Sequence, residues 1–264
     1  MFFPFRLPQT QFIKREVRPP AVTFYVNIPL GKEKPARPMT GIFVPEGYQV
    51  QPQIDLIVYL QGYRYLYPSM SIDGYWSIHQ KPFWPLRLGV NLSLKNVILV
   101  APTLGPRSEG GSLIEPGGFD AYLDQVCLAL MEHGPYRTAR QQPMIGNIIL
   151  ACHSGGGYPM RQVVLTSQRY SSNIRECWGF DCLYDDDDLV ATWADWAWFH
   201  PDSKLYIYYL SDTEDNSKQL QRQQLPNVFV ERSPARGLKA HYWVPANHWR
   251  YRIQKTEFLV YRSN

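Results

Sequence analysis

Apolar residues in this chain occur in short runs that alternate with longer segments of helical spacing. Three near-continuous apolar runs cover residues 54–60, 96–101 and 147–152. Runs of this kind are typical of strands that are covered on both faces, as in a parallel sheet. Two earlier segments, 22–28 and 39–44, show the two-residue period of half-buried strands. The pattern therefore predicts a mostly parallel sheet that begins with an antiparallel pair.

One helix is strongly indicated by its apolar spacing. From Phe119 to His133 apolar residues recur every three or four positions, and Gly134 and Pro135 end the segment. Weaker signals of the same kinds mark the other elements. They are helices at 160–170, 189–199 and 217–224, and strands at 174–180, 205–210, 228–230 and 240–244. This alternation predicts a doubly wound α/β sheet with an antiparallel start.

The chain is expected to form one domain preceded by a short arm. Residues 1–20 are rich in proline and lack a clear period, so we expect an irregular arm lying over a single domain at 21–264. A chain of 264 residues buries roughly three quarters of its unfolded surface and needs no disulfide or metal framework to fold. The four cysteines lie in apolar runs without the close pairing of a zinc or redox site, which predicts buried free thiols.

Charge and composition argue against several classes of partner. Lys and Arg total 27 against 23 Asp and Glu, and this mild excess forms no basic block, so nucleic acid is not an expected partner. No apolar run approaches the roughly 18 residues of a membrane span. The first residues lack the charged region and apolar stretch of a secretory signal, so we expect a cytoplasmic protein unless a signal has been removed. No pattern requires a cofactor, and the oligomeric state is left open.

The most specific feature is the junction at which the run 147–152 meets a serine and three glycines. A buried strand that passes directly into such a turn and then into a helix resembles the nucleophile elbow of the α/β-hydrolase superfamily, G-x-S-x-G. Cys152 takes the first glycine position, His153 the first variable one, Ser154 the nucleophile and Gly156 the last glycine. The resemblance implies an α/β-hydrolase-like fold, here without a large cap domain. It also implies a serine hydrolase that acts on a small-molecule or polymer carboxylic ester.

The glycines at 155–157 have other interpretations. A P-loop requires Lys followed by Ser or Thr after its last glycine, and residues 158–160 are Tyr, Pro and Met. A dinucleotide-binding loop is expected before an early helix, not after residue 150. A plain glycine turn in an inactive binding module and a phosphate- or nucleotide-binding protein are the two other function classes. A peptidase or acyltransferase would use the same catalytic groups.

The resemblance implies that an acid and then a histidine follow Ser154 in the chain. His241 and His248 are the two histidines beyond the last predicted strand–helix unit. His241 falls inside the predicted strand 240–244, whereas His248 follows it in a turn, where the superfamily carries its base. We therefore predict His248 as the catalytic base.

Two carboxylates are candidates for the acid. Asp181 ends the strand 174–180 in an apolar setting, where an ionised carboxylate needs a partner such as an imidazole N–H. Asp212 ends the next strand, which is where most members of the superfamily carry the acid. Its polar neighbours are equally consistent with the start of a helix. Asp181 is preferred, with Asp212 as the alternative.

An oxyanion hole needs two backbone N–H groups that face the reacting carbonyl. Gly155 follows the nucleophile and is expected to provide the first. The strand 54–60 ends in Gln61, Gly62 and Tyr63, which resembles the His-Gly oxyanion loop with glutamine in place of histidine. Tyr63 is the expected second donor, and Gly62 is expected to give the loop conformational freedom. An ordinary glycine turn is the alternative.

Aromatic residues are abundant, with 18 Tyr, 8 Trp and 12 Phe. Apart from those on strands, they concentrate in residues 63–93, which have no clear period, and in the helix 189–199. These segments are expected to border the Ser154 site, either as an aromatic cleft or as core packing. The candidates are Tyr65, Tyr67, Tyr75, Trp76, Phe83, Trp84, Trp193, Trp196 and Trp198, of which Trp193 and Trp196 have the spacing of a packed helix face.

The four consecutive aspartates at 185–188 are also conspicuous. Hard cations bind carboxylate oxygens, so a calcium site is one interpretation. Adjacent carboxylates cannot all converge on one ion, and the run directly precedes the predicted helix 189–199, whose positive end favours acids. We therefore expect a solvated helix start and no metal site.

Overall fold

A nine-stranded sheet organises the part of the chain that the computed structural model describes, residues 11–18, 21–30, 39–64, 68–75, 86–139, 142–184 and 188–263. The strands are β1 (Gln11–Arg18), β2 (Ala21–Asn27), β3 (Thr40–Val44), β4 (Gln53–Leu60), β5 (Ile98–Pro102), β6 (Met144–His153), β7 (Ile174–Phe180), β8 (Lys204–Tyr209) and β9 (Val228–Arg232). The helices are α1 (Ile72–Tyr75), α2 (Leu86–Ser93), α3 (Gly118–Glu132), α4 (Gly157–Thr166), α5 (Leu189–Phe199), α6 (Glu214–Gln221) and α7 (Ala240–Lys255).

The sheet has the predicted mixture of strand directions. Its order is β1-β2-β3-β5-β4-β6-β7-β8-β9. The pairs from β1 through β3 to β5 are antiparallel, and every pair from β5 to β9 is parallel. The prediction of a mostly parallel α/β sheet with an antiparallel start is confirmed. In such a sheet the carboxyl ends of the parallel strands lie along one edge, where loops can meet to form a site.

The central strands are buried on both faces, which explains their continuous apolar runs. On β4, Leu56 and Val58 belong to one apolar cluster, whereas Ile57 and Tyr59 belong to a second cluster. Neighbouring side chains of a strand point to opposite faces, so the two clusters cover the two sides of the sheet. Helix α5 has the predicted bounds, and α3 matches within a residue at each end. Helices α4 and α6 each begin three residues earlier than predicted.

The expectation of an irregular N-terminal arm is wrong for residues 11–18. These residues form β1, the outermost strand, which pairs with β2. An edge strand with exposed side chains has no apolar period to reveal it, and charged residues on it discourage pairing with other chains. Lys14 forms an ion pair with Asp73, 2.5 Å from Nζ to Oδ2. Residues 1–10 and 19–20 lie outside the described residues.

The predicted strand at 240–244 is also wrong, because these residues begin α7. Tyr, Trp and Val in succession favour a strand over a window of five residues. Helical spacing becomes visible only over the full helix, whose buried positions include Val244, His248, Trp249, Arg252 and Ile253. The sequence predicts Pro245 in a turn after this strand, but Pro245 lies inside the helix.

A buried ion pair holds the C-terminal half of α7 against the sheet. Arg252 lies 3.3 Å from Glu176 on β7, measured from Nη2 to Oε2, and both side chains are buried. Trp178 Nε1 and Thr256 Oγ1 also donate to the Glu176 carboxylate. The Arg252 guanidinium stacks over the ring of Tyr206. Burial raises the pKa of Glu176, and the charge of Arg252 opposes that rise.

Replacement of Arg252 should therefore destabilise the fold in a pH-dependent way. Arg252→Met leaves the Glu176 charge buried without its counter-ion, which should lower the free energy of unfolding by about 3–5 kcal/mol at pH 8. The pKa of Glu176 is raised in the folded state, and loss of Arg252 should raise it further. The buried, ionised Glu176 therefore destabilises the folded variant at pH 8. As the pH falls towards 5, Glu176 takes up a proton in the folded protein but not in the unfolded chain, so this destabilisation decreases. Urea unfolding at both pH values measures the difference.

The exposed Lys255 on the same helix provides the control. Lys255→Met should change the free energy of unfolding by less than about 0.5 kcal/mol. Equal stability of Arg252→Met and the parent protein at pH 8 would contradict the role given to this ion pair.

Candidate active site

Ser154 lies on the turn between β6 and α4, at the carboxyl end of a central parallel strand. Its φ is +55°, in the left-handed region that side-chain-bearing residues rarely adopt. A short 3-10 turn, Ser154–Gly156, follows and leads directly into α4. Backbone strain of this kind persists only where the surrounding structure imposes it, and it is common at functional sites.

Close packing explains the glycines after Ser154. A Cβ atom on Gly156 would lie 2.3 Å from the carbonyl oxygen of Leu60, and one on Gly157 would lie 2.4 Å from that of Cys182. A Cβ on Gly155 would lie 2.2 Å from the Tyr63 ring. The turn is thus pressed between the ends of β4 and β7. At Gly156 and Gly157 backbone carbonyl oxygens leave room only for glycine, whereas at Gly155 a larger residue would have to displace the Tyr63 ring.

Asp181 and His241 form a close pair at the end of β7. Asp181 Oδ2 lies 2.6 Å from His241 Nδ1, and its other oxygen accepts from Thr213 Oγ1 at 2.5 Å and from the backbone N–H of Leu210 at 3.0 Å. Asp181 is 2 % exposed and has a φ of +48°. Burial alone would raise its pKa, but hydrogen bonds from His241 and Thr213 hold the pKa of Asp181 below the usual carboxyl range. Asp181 is therefore a buried carboxylate whose oxygens both accept hydrogen bonds.

The alternative acid, Asp212, lies elsewhere. It is exposed, and its carboxylate accepts a hydrogen bond from the neighbouring Ser211 hydroxyl at 3.1 Å. The next residue, Thr213, is the one that contacts Asp181. The loop after β8 thus donates hydrogen bonds to the carboxylate that follows β7.

The structure does not bring His248 to Asp181. His248 lies about two turns beyond His241 along α7, where its Nε2 is 3.1 Å from Ser233 Oγ and its ring stacks on Tyr208 with 3.8 Å between centroids. Burial lowers the pKa of His248 to about 4, so the ring is neutral at pH 7. The predicted position of His248, in a turn after a strand, is wrong because residues 240–255 form one helix. His241, set aside as a strand residue, lies at the start of that helix.

His153 connects the turn at Ser154 to His241. The two imidazole rings lie 4.3 Å apart between centroids, and His153 Nε2 donates to the backbone carbonyl of His241 at 3.0 Å. Burial, and then the proximity of His241, lower the pKa of His153 to about 3. A neutral imidazole therefore occupies this position at pH 7. Because His153 directly precedes Ser154, the contact links the turn at Ser154 to the helix that carries His241.

The loop after β4 lies against the turn at Ser154. A Cβ on Gly62 would lie 2.7 Å from Ser154 Cβ and 2.8 Å from the His153 carbonyl oxygen. Gly62 does not have a positive φ, so close approach, and not the expected conformational freedom, explains this glycine. Tyr63, the next residue, places its ring over Gly155.

The loop after β5 fixes the loop after β4. Ser108 Oγ donates to the carbonyl of Gln61 at 2.9 Å, and the N–H of Arg64 donates to the carbonyl of Pro106 at 2.8 Å. These bonds hold the backbone of Gly62 and Tyr63 on both sides of its contact with the turn at Ser154. The two expected oxyanion donors, Gly155 and Tyr63, therefore belong to segments in direct contact.

A small cavity of about 190 Å³ opens beside these loops. Tyr63 and Gly155 line one part of it, Cys182 and Tyr184 line another, and Arg161 of α4 contributes to its wall. The hydroxyl of Tyr184 lies 3.4 Å from Asp181 Oδ2 and 3.2 Å from His241 Nδ1. The cavity is thus lined by the two expected oxyanion donors, Gly155 and Tyr63, and by Tyr184, which contacts both Asp181 and His241.

Three of the four described candidates for an aromatic cleft, Tyr75, Trp193 and Trp196, are packed inside the protein. Tyr75 is buried and its hydroxyl lies 3.3 Å from that of Tyr59. Trp193 and Trp196 are buried and meet edge to face at 5.7 Å, which confirms their interpretation as a packed helix face. Trp198 is 70 % exposed. The remaining candidates for an aromatic cleft, namely Tyr65, Tyr67, Trp76, Phe83 and Trp84, lie outside the described residues.

The acidic run at 185–188 precedes α5, as predicted from the sequence. Asp188 directly precedes α5, and residues 185–187 lie outside the described residues. In the described ranges, no three His, Cys, Asp or Glu side chains are grouped as a metal would require. The helices among those same ranges include none with the length and apolar character of a bilayer span.

Comparisons with known proteins place the fold. No protein-family model matches the sequence. No curated protein matches it either. Among solved structures, an S-formylglutathione hydrolase from Agrobacterium tumefaciens is similar with a TM-score of 0.55 at 11% identity, over 92% of this chain and 97% of the other. A ferulic acid esterase is similar with a TM-score of 0.55 at 15% identity, over 93% of this chain and 100% of the other. The chain has an α/β-hydrolase-like fold.

Proposed function

We propose that this protein is a serine hydrolase of carboxylic esters that uses Ser154 as nucleophile, His241 as base and Asp181 as the acid that orients the base. The observation that carries the proposal is the Asp181–His241 pair, 2.6 Å apart, linked through His153 to the strained turn that bears Ser154. Strand, serine turn, acid and histidine follow one another in the superfamily order. The similarity of the fold to an S-formylglutathione hydrolase and a ferulic acid esterase supports an ester substrate.

In the proposed reaction, Ser154 Oγ attacks the ester carbonyl while His241 takes its proton. Because Nδ1 of His241 faces Asp181, Nε2 is the nitrogen left to exchange the proton. The alcohol leaves with that proton, and water then hydrolyses the acyl-serine by the same steps in reverse order. Asp181 holds one tautomer of His241 and stabilises the imidazolium that forms.

The backbone N–H groups of Gly155 and Tyr63 are the proposed oxyanion donors. Their segments are held in contact by the packing of Gly62 on Ser154 and of the Tyr63 ring on Gly155. Donors fixed before the reaction need no reorganisation when charge develops on the carbonyl oxygen, and one such donor typically contributes about 100- to 1000-fold in turnover.

Covalent labelling tests the nucleophile. A fluorophosphonate probe should label the protein at Ser154, and Ser154→Ala should abolish both labelling and the hydrolysis of short-chain phenyl esters. Ser172→Ala, at an exposed serine beyond α4, should leave both unchanged. If the folded protein is not labelled while a control serine hydrolase in the same sample is, the proposal fails and a non-catalytic binding role takes its place.

The two histidines of α7 should differ sharply in their effect on turnover. His241→Gln removes the proposed base and should lower kcat by about 10⁴-fold or more. His248→Gln retains a polar group for Ser233 and should keep kcat within about threefold. Steady-state kinetics with one ester, on variants shown by circular dichroism to be folded, makes the comparison. A larger loss for His248→Gln than for His241→Gln would overturn the assignment.

The two candidate acids can be separated in the same way. Asp181→Asn keeps the side-chain shape but cannot hold the required tautomer of His241, so kcat should fall by about 10⁴-fold. Asp212→Asn changes an exposed residue and should have little effect on kcat. Fluorophosphonate labelling should slow in parallel with hydrolysis for Asp181→Asn. Unchanged kcat in folded Asp181→Asn would exclude Asp181 as the acid.

A further inference from the structure

Helices α2 and α7 lie side by side on one face of the sheet. Leu86 of α2 and Trp249 and Ile253 of α7 belong to the same apolar cluster, and Trp249 Nε1 donates to the carbonyl of Leu86 at 3.0 Å. A Cβ on Gly89 would lie 2.4 Å from the Trp249 ring, so the two helices are in direct contact. Because both pack inward on one cluster, their outer sides face away from the sheet in the same direction.

The outer side of α2 is aliphatic. Leu88 and Leu92, one helical turn apart, are 45 % and 44 % exposed. Leu94 follows the helix with a φ of +59° and is 57 % exposed, at a place where helices commonly end in glycine. A bulky residue rarely adopts a positive φ, and strain of this kind concentrates at functional sites. Three exposed leucines thus lie in one short segment, and core packing does not account for them.

The outer side of α7 and of the loop before it is basic. Arg236, Lys239, Arg250 and Lys255 are exposed, and the ion pairs of the described residues include none of these four. Neither α2 nor α7 contains an acidic residue. Three acidic residues border the two helices, and each lies beside a cation of its own. They are Glu16 with Arg87, Glu257 with Lys204, and Glu46 with Arg262. The positive charge of α7 is therefore not compensated by these neighbours.

Apolar side chains accompany the cations of α7. Leu238, directly before the helix, is fully exposed, and Trp243 and Tyr251 are exposed on the helix itself. Basic residues that share an outer surface with Trp, Tyr and Leu are typical of helices that lie in the interface of an anionic bilayer. The cations contact the phosphate headgroups there, while the apolar side chains enter the boundary of the acyl chains.

Two other partners fit this surface less well. In a symmetric contact between two copies of the chain the same surface meets itself, which would set the cations of one copy against those of the other. A soluble polyanion would bind the cations but would leave the leucines in water. An anionic lipid surface accommodates both kinds of side chain.

We propose that the outer sides of α2 and α7, here called the α2–α7 surface, bind peripherally to anionic lipid bilayers. The inference goes beyond the proposed function and does not depend on the reactivity of Ser154. His241 begins the same helix, so binding would bring the candidate active site close to the lipid. The α2–α7 surface consists of Leu88, Leu92, Leu94, Arg236, Leu238, Lys239, Trp243, Arg250, Tyr251 and Lys255.

Sedimentation with vesicles tests the proposal. At low ionic strength the protein should bind vesicles of phosphatidylcholine with about one third phosphatidylglycerol at least about tenfold more strongly than vesicles of phosphatidylcholine alone. Added salt should weaken the binding, because it screens the charges. Ser154→Ala should bind as the parent protein does, which separates this result from the test of the nucleophile. Absence of binding to the anionic vesicles would overturn the inference.

Charge variants locate the binding surface. One Lys or Arg near an anionic bilayer contributes about fivefold to partitioning, so Lys239→Gln combined with Arg250→Gln should weaken binding by about 25-fold. Arg137→Gln combined with Arg222→Gln removes the same charge from exposed positions after α3 and α6, which pack on the other face of the sheet. This control pair should stay within about threefold of the parent protein. Equal losses for the two pairs would refute a specific surface.

Aliphatic variants distinguish a lipid from the other partners. Leu88→Ser combined with Leu92→Ser should weaken binding by about tenfold or more. Met144→Ser combined with Leu165→Ser, at exposed positions away from α2 and α7, should not. Binding that needs the cations but not the leucines would indicate a surface for soluble polyanions and overturn the inference. A lipid-free dimer of the parent protein that the leucine variant dissociates would overturn it as well.

Fluorescence of the bound protein covers the case in which the leucine variant does not fold. Vesicles whose acyl chains are brominated should quench part of the tryptophan fluorescence of the parent protein. Trp243→Phe should remove most of that quenching, whereas Trp198→Phe, at an exposed position on α5, should retain it. Quenching that persists in Trp243→Phe would show that another surface contacts the lipid and would overturn the proposal.

Discussion

The candidate site depends on a single backbone carbonyl, that of His241. In an unbroken helix this carbonyl would accept the N–H of residue 245, but that residue is proline and has no N–H to donate. His153 donates from its Nε2 instead, at 3.0 Å. The carbonyl oxygen that Pro245 leaves without a helical partner thus accepts its hydrogen bond from the residue that precedes Ser154. The same bond fixes the start of α7 against the end of β6, and the Arg252–Glu176 pair fixes its other end on β7. His241 is thereby held over the carboxyl ends of the strands, where Asp181 can reach it.

The electrostatic arrangement around His241 is asymmetric. On one side is the ionised Asp181, and on the other is the ring of His153, which burial keeps neutral. In the proposed mechanism His241 becomes an imidazolium for part of the cycle. A second imidazolium 4.3 Å away would oppose that step, whereas a neutral ring does not. The His241 carbonyl selects the tautomer of His153 that has its N–H on Nε2, and burial keeps that ring neutral, which leaves the proposed proton transfer to one histidine.

The sequence predicted the sheet and the turn at Ser154 because both depend on local patterns. Buried parallel strands have continuous apolar runs, and the turn at Ser154 has a motif. The contact of His241 with Asp181 could not be predicted because it depends on the length of α7: Tyr242, Trp243 and Val244 favour a strand in isolation, and Pro245 suggests an end where the helix continues. The edge strand β1 was missed because its side chains face solvent and therefore show no apolar period. The same exposed, charged side chains discourage pairing of this edge with other chains. The preference for Asp181 over Asp212 depended on an apolar setting, but the hydrogen bonds from Leu210 and Thr213 that place its carboxylate are visible only in three dimensions.

The departure of Cys152 from the usual glycine has a physical explanation in the neighbouring strand. Glycine at this position of the motif allows close packing of the nucleophile strand on its surroundings. Here Cys152 pairs in register with Gly179 of β7, and a Cβ on Gly179 would lie 2.5 Å from Cys182 Sγ. A Cβ there would also lie 2.7 Å from Ile207 Cδ1, so the missing side chain of Gly179 provides the room that Cys182 and Ile207 occupy. The strand that follows β6 in the sheet therefore has glycine directly opposite Cys152, and the close packing that the motif obtains from its first glycine is obtained here at the neighbouring strand.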